Sequence, residues 1–174
     1  MTIKVNGQIG PYFPTYTGVR QGDPLSPLLF DIVGDGLAMM IKNAQEQGLI
    51  KGLVPHLVHG GLAILQYADD TILLLEDNLE NARNIKFILC VFEQLSGLKI
   101  NFHKSEIYCL GGAKSKEMQY SEIFTCVSAT LPMKYLGMPV DEKRIAMSQW
   151  GPIDEKFVGK LAGWKGKLLS TGAE

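Results

Sequence analysis

The chain has 174 residues, of which 46% are hydrophobic and 20% are charged, and its formal net charge is −1. This length suits one domain with a real core, and the composition excludes a disordered chain, a collagen-like repeat and a coiled coil. The charge counts against a self-sufficient nucleic-acid binder, because phosphate contacts require a surplus of Lys and Arg on at least one face.

The sequence carries no signal for secretion or membrane insertion. The N-terminus lacks a basic segment followed by an apolar core, and Asp31 and Asp35 interrupt the apolar run from 28 to 41. The three cysteines are neither an even set nor a CxxC pair, so no disulfide framework or zinc site is predicted. We therefore expect an intracellular protein that does not bind a membrane.

The first predicted elements are a β-ribbon and a long helix. The N-terminal residues alternate weakly in polarity around Asn6-Gly7, which is a strong hairpin-turn signal. The helix is predicted to begin with Asp23 as its cap and Pro24 in its first turn, and to end at Gly48.

The long helix has an apolar stripe that we expect to be buried core along its whole length. The residues of the stripe are Leu25, Leu28, Leu29, Ile32, Val33, Leu37, Met40 and Ile41. Gly34 and Gly36 weaken the helix locally, which indicates that another backbone or a ligand passes close to it.

The stretch "ILQYADDTILLLE", Ile64 to Glu76, places two adjacent aspartates between two aliphatic runs. The runs are rich enough in aliphatic residues to predict central strands that are covered on both faces. We expect a hairpin with Asp69 and Asp70 at its tip.

The remaining elements are a second helix, short strands and further helices. Asp77 and Glu80 resemble a capping box and Gly97 a terminator, which predicts a helix between them. Its predicted core stripe is Leu79, Ala82, Ile85, Ile88, Leu89, Phe92 and Leu95. A strand, a short helix, a strand or hairpin over "KYLGMPV" and a last amphipathic helix opened by Pro152 are expected to follow. This order predicts an α+β fold, a sheet with two helices packed on one face.

The adjacent aspartates require a chemical explanation. Two carboxylates about 6 Å apart repel by about 3 kcal/mol at an effective dielectric constant of 20. A solvated turn removes most of this repulsion, whereas a divalent cation converts it into coordination. Such a site suits nucleotidyl or phosphoryl transfer with two metal ions, but the sequence offers no obvious third acid.

At these residues the chain resembles the reverse transcriptases of non-LTR (LINE-type) retrotransposons, in particular those of plants. "YADD" from Tyr67 resembles the Y-x-D-D signature, and "GVRQGDPLSPLLF" from Gly18 resembles the R-Q-G-x-P-L-S-P block. "GLKINFHKSEI" from Gly97 is similar to the G-L-x-x-N-x-x-K-S segment, and "KYLGMPV" from Lys134 to the Y-L-G block. The blocks occur in the family's order and span nearly the whole chain.

The resemblance implies a palm-like domain over residues 1–140 and the start of a thumb or connection helix over 141–174. It implies an RNA-directed DNA polymerase with two Mg²⁺ ions, an RNA template, a DNA primer and a deoxynucleotide, which acts in the nucleus. The implied metal ligands are Asp69 and Asp70, and the implied nucleotide- or template-binding residues are Arg20, Gln21, Gly22, Tyr67 and Ala68. Lys104 matches a lysine proposed to protonate or stabilise the departing pyrophosphate, although a solvated charge explains it equally well.

The family's earlier block, which carries its first catalytic aspartate, is expected to lie outside these 174 residues. The domain is then incomplete, and two alternatives follow. The chain is a fragment of an active polymerase, or it is an inactive truncated relic that serves at most as a binding module. The resemblance favours the first by descent, but we expect the isolated 174 residues to be inactive because the first catalytic aspartate is absent. A metal-dependent nuclease or phosphatase is a third alternative, which requires further Asp, Glu or His ligands near the pair.

Overall fold

A computed structural model describes residues 2–14, 22–145 and 147–168 of the chain. Its helices are α1 (Leu25–Glu46), α2 (Leu79–Ser96), α3 (Glu117–Phe124) and α4 (Gly151–Leu168). Its strands are β1 (Lys4–Val5), β2 (Gln8–Ile9), β3 (Ile64–Tyr67), β4 (Asp70–Leu73), β5 (Glu106–Tyr108), β6 (Val127–Ala129), β7 (Met133–Tyr135) and β8 (Met138–Val140). The mixture of helices and short strands is an α+β fold, as predicted.

In the described part of the chain, the strands form four separate two-stranded pairs. The pairs β1–β2, β3–β4 and β7–β8 are antiparallel, and β5–β6 is parallel. No pair is joined to another by a strand ladder within these residues, so the single sheet predicted from the sequence is not observed there. Strands of two to four residues form few ladder hydrogen bonds, so an isolated pair of this length is at most marginally stable by itself.

The hydrophobic core lies between the C-terminal half of α1, helix α2 and the base of the β3–β4 hairpin. Its buried residues are Leu37, Ile41, Ala44, Ile50, Ala63, Ile85, Leu89 and Phe92. Ile64 and Leu73, which pair at the end of the hairpin away from its turn, pack against this cluster. The hairpin is therefore anchored at its base.

The apolar stripe of α1 is only partly buried, which corrects the prediction of a continuous core face. Leu37 and Ile41 are buried, but four apolar residues of the N-terminal half are exposed: Leu25, Leu28, Leu29 and Ile32. Helical spacing establishes that a face is apolar, but it does not specify how much of that face a neighbouring element covers. The C-terminal end of the helix agrees with the sequence, since Gly48 has a φ of +72°. At the N-terminal end the cap position is Pro24, one residue later than predicted, although the Asp23 carboxylate still accepts a hydrogen bond from the Leu25 amide.

Helix α2 begins one residue later than the proposed capping box. The Asn78 side chain caps the helix by accepting a hydrogen bond from the Glu80 amide at 2.8 Å. The C-terminal prediction is confirmed, since Gly97 has a φ of +73° and its amide donates to the Glu93 carbonyl. Leu95 is 77% exposed, so its assignment to the core stripe was wrong.

Asp77 does not cap α2. Its side chain instead connects the residue that precedes the α2 cap to α3. Its carboxylate accepts hydrogen bonds from the Tyr120 hydroxyl at 2.6 Å and from Lys116 Nζ at 3.0 Å. The bond from Tyr120, followed by the bond from Lys116, lowers the pKa of Asp77. Burial and the same hydrogen bond raise the pKa of Tyr120. These contacts fix the unit formed by β5, α3 and β6 against the segment that follows β4.

Two of the predicted hairpins have the turn geometry that their sequences indicate. Asn6 and Gly7 both have positive φ, at +49° and +84°, and Leu136 and Gly137 likewise, at +51° and +86°. Two central residues of positive φ define the type I′ turn that favours tight hairpins. The parallel pairing of β5 with β6 was not predicted, because it joins strands that are separated by a whole helix.

The loop between α1 and β3 is closed at its base by a tight crossing of the backbone. Leu53 and Leu62 exchange backbone hydrogen bonds at 2.9 and 2.7 Å. A methyl group placed on Gly52 would lie 2.6 Å from the Leu62 carbonyl carbon, so only glycine fits there. The Gln45 side-chain amide donates to the carbonyls of Gly60 and Gly61, both at 2.9 Å. Helix α1 thereby holds the loop closed.

Candidate active site

The two aspartates lie at the turn of the β3–β4 hairpin, as the sequence predicts. The last pair of the ladder joins Tyr67 to Asp70, which leaves Ala68 and Asp69 as a two-residue turn. Ala68 has a φ of +51°, and a positive φ at the first central residue is a requirement of the type I′ and II′ hairpin turns. An alanine there is held in a backbone conformation that is sparsely populated for residues other than glycine.

The pairing register divides the hairpin side chains between two faces. One face carries Ile64, Gln66, Thr71 and Leu73, and the other carries Leu65, Tyr67, Asp70 and Ile72. The first face is turned toward α1, because Ile64 and Leu73 pack on the core and a methyl group on Gly34 would lie 3.7 Å from Gln66 Nε2. Asp70 and Tyr67 therefore share the face turned away from α1.

The hairpin is more exposed than its aliphatic sequence indicates, which corrects the prediction of strands covered on both faces. No side chain of β3 or β4 is buried, and Tyr67 is 62% exposed. The reason is that no further strand pairs with either edge of the hairpin in the described ranges. As a result, both carboxylates at the tip are accessible to a ligand from solution.

The beginning of α1 lies in the direction in which β3 runs. The strand passes from the core at Ile64 to the side of Gly34 at Gln66, which is toward the N-terminal half of the helix. Gly22 is exposed and has a φ of +82°, a conformation that accounts for a glycine at this position. The other two predicted binding residues of this block, Arg20 and Gln21, lie outside the described residues.

Among the described residues, another element lies close to Gly34 but not to Gly36. Its nearest contact is the Gln66 side chain, so an element does pass close to it, as predicted. A methyl group on Gly36 would meet no atom within 4 Å in the described structure. The prediction of a close approach at Gly36 therefore has no counterpart among the described residues.

Lys104 lies on a different unit from the aspartates, in the turn that precedes β5. Its amide donates to the Asn101 backbone carbonyl at 3.0 Å and to the Asn101 side-chain oxygen at 3.2 Å. The Ser105 hydroxyl donates to the same carbonyl at 3.0 Å. The Asn and Ser of the "NFHKS" stretch thus build a hydrogen-bonded turn that exposes the Lys104 side chain to solvent.

The ligands that a metal ion requires can be compared with the side chains at the tip of the β3–β4 hairpin. In the part of the chain that the structure describes, no three His, Cys, Asp or Glu side chains form a group that could hold an ion. Asp69 and Asp70 alone match the one or two carboxylates with which proteins bind Mg²⁺ when substrate phosphates and water complete the coordination. The pair fits a shared site with a phosphate-bearing ligand and does not form a complete protein cage.

The exposed acidic turn and the α+β fold are consistent with a class of enzymes that act on nucleotides, and comparison with known proteins specifies the family. Residues 1–140 match the family described as "Reverse transcriptase (RNA-dependent DNA polymerase)". This match covers well over half of the chain. The chain belongs to the reverse transcriptase family.

Similar proteins include two from transposable elements and one mitochondrial protein. The chain is 37% identical over 102 residues to the "Retrovirus-related Pol polyprotein from type-1 retrotransposable element R2" of Popillia japonica, covering 59% of this chain and 16% of that protein. It is 28% identical over 174 residues to the "Transposon TX1 uncharacterized 149 kDa protein" of Xenopus laevis, covering 97% of this chain and 12% of that protein. An uncharacterized mitochondrial protein of Arabidopsis thaliana is 42% identical over 59 residues, covering 31% of this chain and 44% of that protein.

These comparisons define the chain as a reverse transcriptase domain homologous to the Pol proteins of non-LTR retrotransposons. It spans less than one fifth of the length of the R2 and TX1 relatives. Members of this family generally use divalent metal ions and bind a nucleic acid template and primer. No solved structure matches the chain. None of the helices in the described ranges is both long and apolar enough to cross a membrane.

Proposed function

We propose that this chain is part of the palm of a polymerase that copies RNA into DNA, and that it helps to add deoxynucleotides to a primer 3′-hydroxyl. The observation that carries the proposal is the exposed turn at Ala68, Asp69 and Asp70 in a chain of the reverse transcriptase family. A two-residue turn whose hairpin is packed on the core at its base, and whose two carboxylates are open to solvent, suits a reaction in which phosphate groups must approach them.

Asp69 and Asp70 are the proposed ligands of Mg²⁺. When bound, the ion would lower the negative charge on the attacking and leaving oxygens of nucleotidyl transfer. The role of the protein is to hold both carboxylates on a turn whose base is fixed to the core. A site for two ions needs a further carboxylate, and we assign it to a part of the polymerase that lies outside these 174 residues.

The residues around the turn are proposed to bind the reacting nucleotides. Tyr67 shares its face of the hairpin with Asp70, and Ala68 adjoins Asp69, so primer terminus and deoxynucleotide would lie against them. Gly22 is proposed to let the backbone at the start of α1 approach the nucleotide or template, with Arg20 and Gln21 beside it. Lys104 is proposed to stabilise the departing pyrophosphate, because an exposed ammonium on an ordered turn can bind an anion.

The same proposal covers the wider architecture. No described strand pairs with either edge of the β3–β4 hairpin, and the N-terminal half of α1 is exposed; both features support a palm in which further strands pair with the hairpin. Residues 1–140 would contribute to this palm, and residues 141–174, with α4, would begin the thumb. The polymerase is proposed to act in the nucleus, because members of the family must reach chromosomal DNA.

Metal binding can be measured on the chain without assaying activity. Titration with Mn²⁺, a paramagnetic substitute for Mg²⁺, should broaden the NMR signals of residues 67–71 before those of the rest of the chain. Asp69→Asn and Asp70→Asn should each weaken this effect. Asp35→Asn, which removes an exposed carboxylate from α1, is the matched control and should leave it unchanged. Broadening that survives both turn substitutions contradicts a metal site at the hairpin.

Primer extension tests the reaction itself. On an RNA template with Mg²⁺, a longer polymerase that contains this chain and the further carboxylate should incorporate deoxynucleotides. Either substitution at the turn should abolish this incorporation, whereas Asp35→Asn should retain it. Incorporation that persists in Asp69→Asn and Asp70→Asn contradicts the proposed roles. The isolated 174 residues, which lack the further carboxylate, should incorporate nothing under either hypothesis. A longer polymerase that contains them and also incorporates nothing would favour the inactive relic.

A further inference from the structure

The side chain of Lys86 joins three segments that are distant in the sequence. Lys86 lies in the middle of α2, and its Nζ atom is 3.4 Å from the centroid of the Phe102 ring. The same ammonium group donates a hydrogen bond to the Phe124 carbonyl at 3.2 Å. A single charged group thus connects α2 to the turn that carries Lys104 and to the C-terminal end of α3.

Both contacts favour a positive charge at this place. An ammonium above an aromatic face is attracted by the negative charge density of the ring, and more strongly where water is partly excluded. Lys86 is half-buried. Phe124 is the last residue of α3, and the final carbonyls of a helix lack partners within the helix and carry its negative dipole end. The position therefore suits a cation in two independent ways.

The Phe102 ring belongs to the turn that exposes Lys104. Phe102 lies between Asn101 and Lys104, and its carbonyl accepts a hydrogen bond from the Ser105 amide at 3.3 Å. Helix α2 also contacts the chain just before the turn, where the Glu93 carboxylate accepts a hydrogen bond from the Ile100 amide at 2.6 Å. Two residues of α2, one acidic and one basic, consequently hold the turn at successive points.

We propose that Lys86 is a positioning residue, which fixes the turn of residues 101–105 and so sets the place of the Lys104 ammonium. This inference rests on the role of Lys104 given under Proposed function, which is to stabilise the pyrophosphate. Lys86 does not touch the nucleotide in this scheme, and it acts only through the turn.

Amide hydrogen exchange on the 174-residue chain tests whether Lys86 holds the turn. Lys86→Met keeps much of the side-chain length but removes the charge, and it should lower the protection of the Lys104 and Ser105 amides about tenfold. Lys86→Arg retains a cation that can stack and donate, and it should restore the protection. The control is Arg83→Met, which removes an exposed cation one turn earlier on α2, and it should have no effect.

A second variant covers the case in which Lys86→Met disturbs the whole fold. Phe102→Leu removes the aromatic face but leaves Lys86 and its bond to Phe124 in place, and it should likewise reduce protection in the turn. Amides of the core around Ile41 and Ile85 serve as the internal reference. Unchanged protection of the turn in both Lys86→Met and Phe102→Leu overturns the inference.

The functional arm uses Mg²⁺-pyrophosphate as the probe, followed through the NMR shift of the Lys104 amide. Lys104→Met should abolish binding at the turn, Lys86→Met should weaken it several-fold, and Lys86→Arg should restore it. Rescue by Lys86→Arg, with no rescue by a neutral side chain, is the result that loss of packing alone would not produce. If Lys104→Met leaves pyrophosphate binding intact, the proposed role of Lys104 fails, and so does the part of this inference that links Lys86 to pyrophosphate. The exchange experiment still decides separately whether Lys86 holds the turn.

Discussion

Helix α1 and the β3–β4 hairpin each have one end that packs on the core and one end that is exposed to solvent. The packed end is formed by Leu37, Ile41, Ala44, Ile85, Leu89 and Phe92, all buried. The open end is formed by Leu25, Leu28, Leu29, Ile32, Tyr67, Asp69 and Asp70, all exposed. The same two elements are thus held firmly at one end and present acidic and apolar side chains at the other. Stability depends on the packed end, and ligand contacts are available at the open end.

The strongest test of this comparison removes the same side chain from each end. Ile85 is 0% exposed and Ile32 is 67% exposed. Ile85→Ala should lower the free energy of unfolding by about 3 kcal/mol, because it leaves a cavity in the core. Ile32→Ala should change it by less than about 0.5 kcal/mol. Urea unfolding followed by circular dichroism measures both, and equal losses would mean that the open end is covered in solution.

A smaller effect is expected where α3 attaches to the packed end. Tyr120→Phe removes the hydroxyl that donates to Asp77 and should lower the free energy of unfolding by about 1 kcal/mol at neutral pH. Since the fold lowers the pKa of Asp77, its ionised carboxylate stabilises the protein above the ordinary pKa of 3.8. This contribution is lost as the pH falls through the lower pKa of the folded state.

The pH dependence of the free energy of unfolding isolates the contribution of the ionised Asp77 carboxylate. The stability difference between wild type and Asp77→Asn should shrink as the pH is lowered below about 4. A difference that remains constant down to the acid transition would show that the charge of Asp77 does not stabilise the connection. Unfolding curves at a series of pH values give the comparison.

The smallest expected effect is at the two glycines between the ends of α1. Gly36→Ala should raise the free energy of unfolding by up to about 1 kcal/mol, because a methyl group meets no atom within 4 Å and alanine favours a helix. Gly34→Ala places its methyl group in ordinary contact with Gln66 and should give a similar or smaller gain. Thermal unfolding measures both. Destabilisation by Gly36→Ala would reveal a neighbour that covers this face of the helix.

The sequence predicts local features well, because short-range geometry determines them. The exit of α1 at Gly48 and the end of α2 at Gly97 follow from glycines, which readily adopt a positive φ. The turn at Ala68 and Asp69 follows from the two aliphatic runs that flank it. The cap of α2 was placed one residue early, because Asp77 and Asn78 are both capping residues by type. Their roles are distinguished by the hydrogen bond of Asp77 with Tyr120, which is 43 positions away.

Features that depend on distant contacts could not be read from the sequence. The periodicity of α1 is the same at Ile32 as at Leu37, yet only Leu37 has a covering partner among the described residues. The parallel pairing of β5 with β6 and the contact of Lys86 with Phe102 likewise join segments with no local pattern. The candidate site divides in the same way. Its aspartates were found from their flanking strands, whereas the residue that holds the Lys104 turn had no signal.

Because the loop between α1 and β3 is closed at its base, the strand register of the β3–β4 hairpin does not depend on the length of that loop. Because the backbone crossing at Gly52 and Gly61 fixes where the chain leaves the loop, residues 54–59 can be exchanged or extended without a shift in the strand register. A shift of one residue in β3 would send Tyr67 to the opposite face of the hairpin. The crossing at these two glycines therefore keeps Asp69 and Asp70 in place when the loop changes in sequence or length.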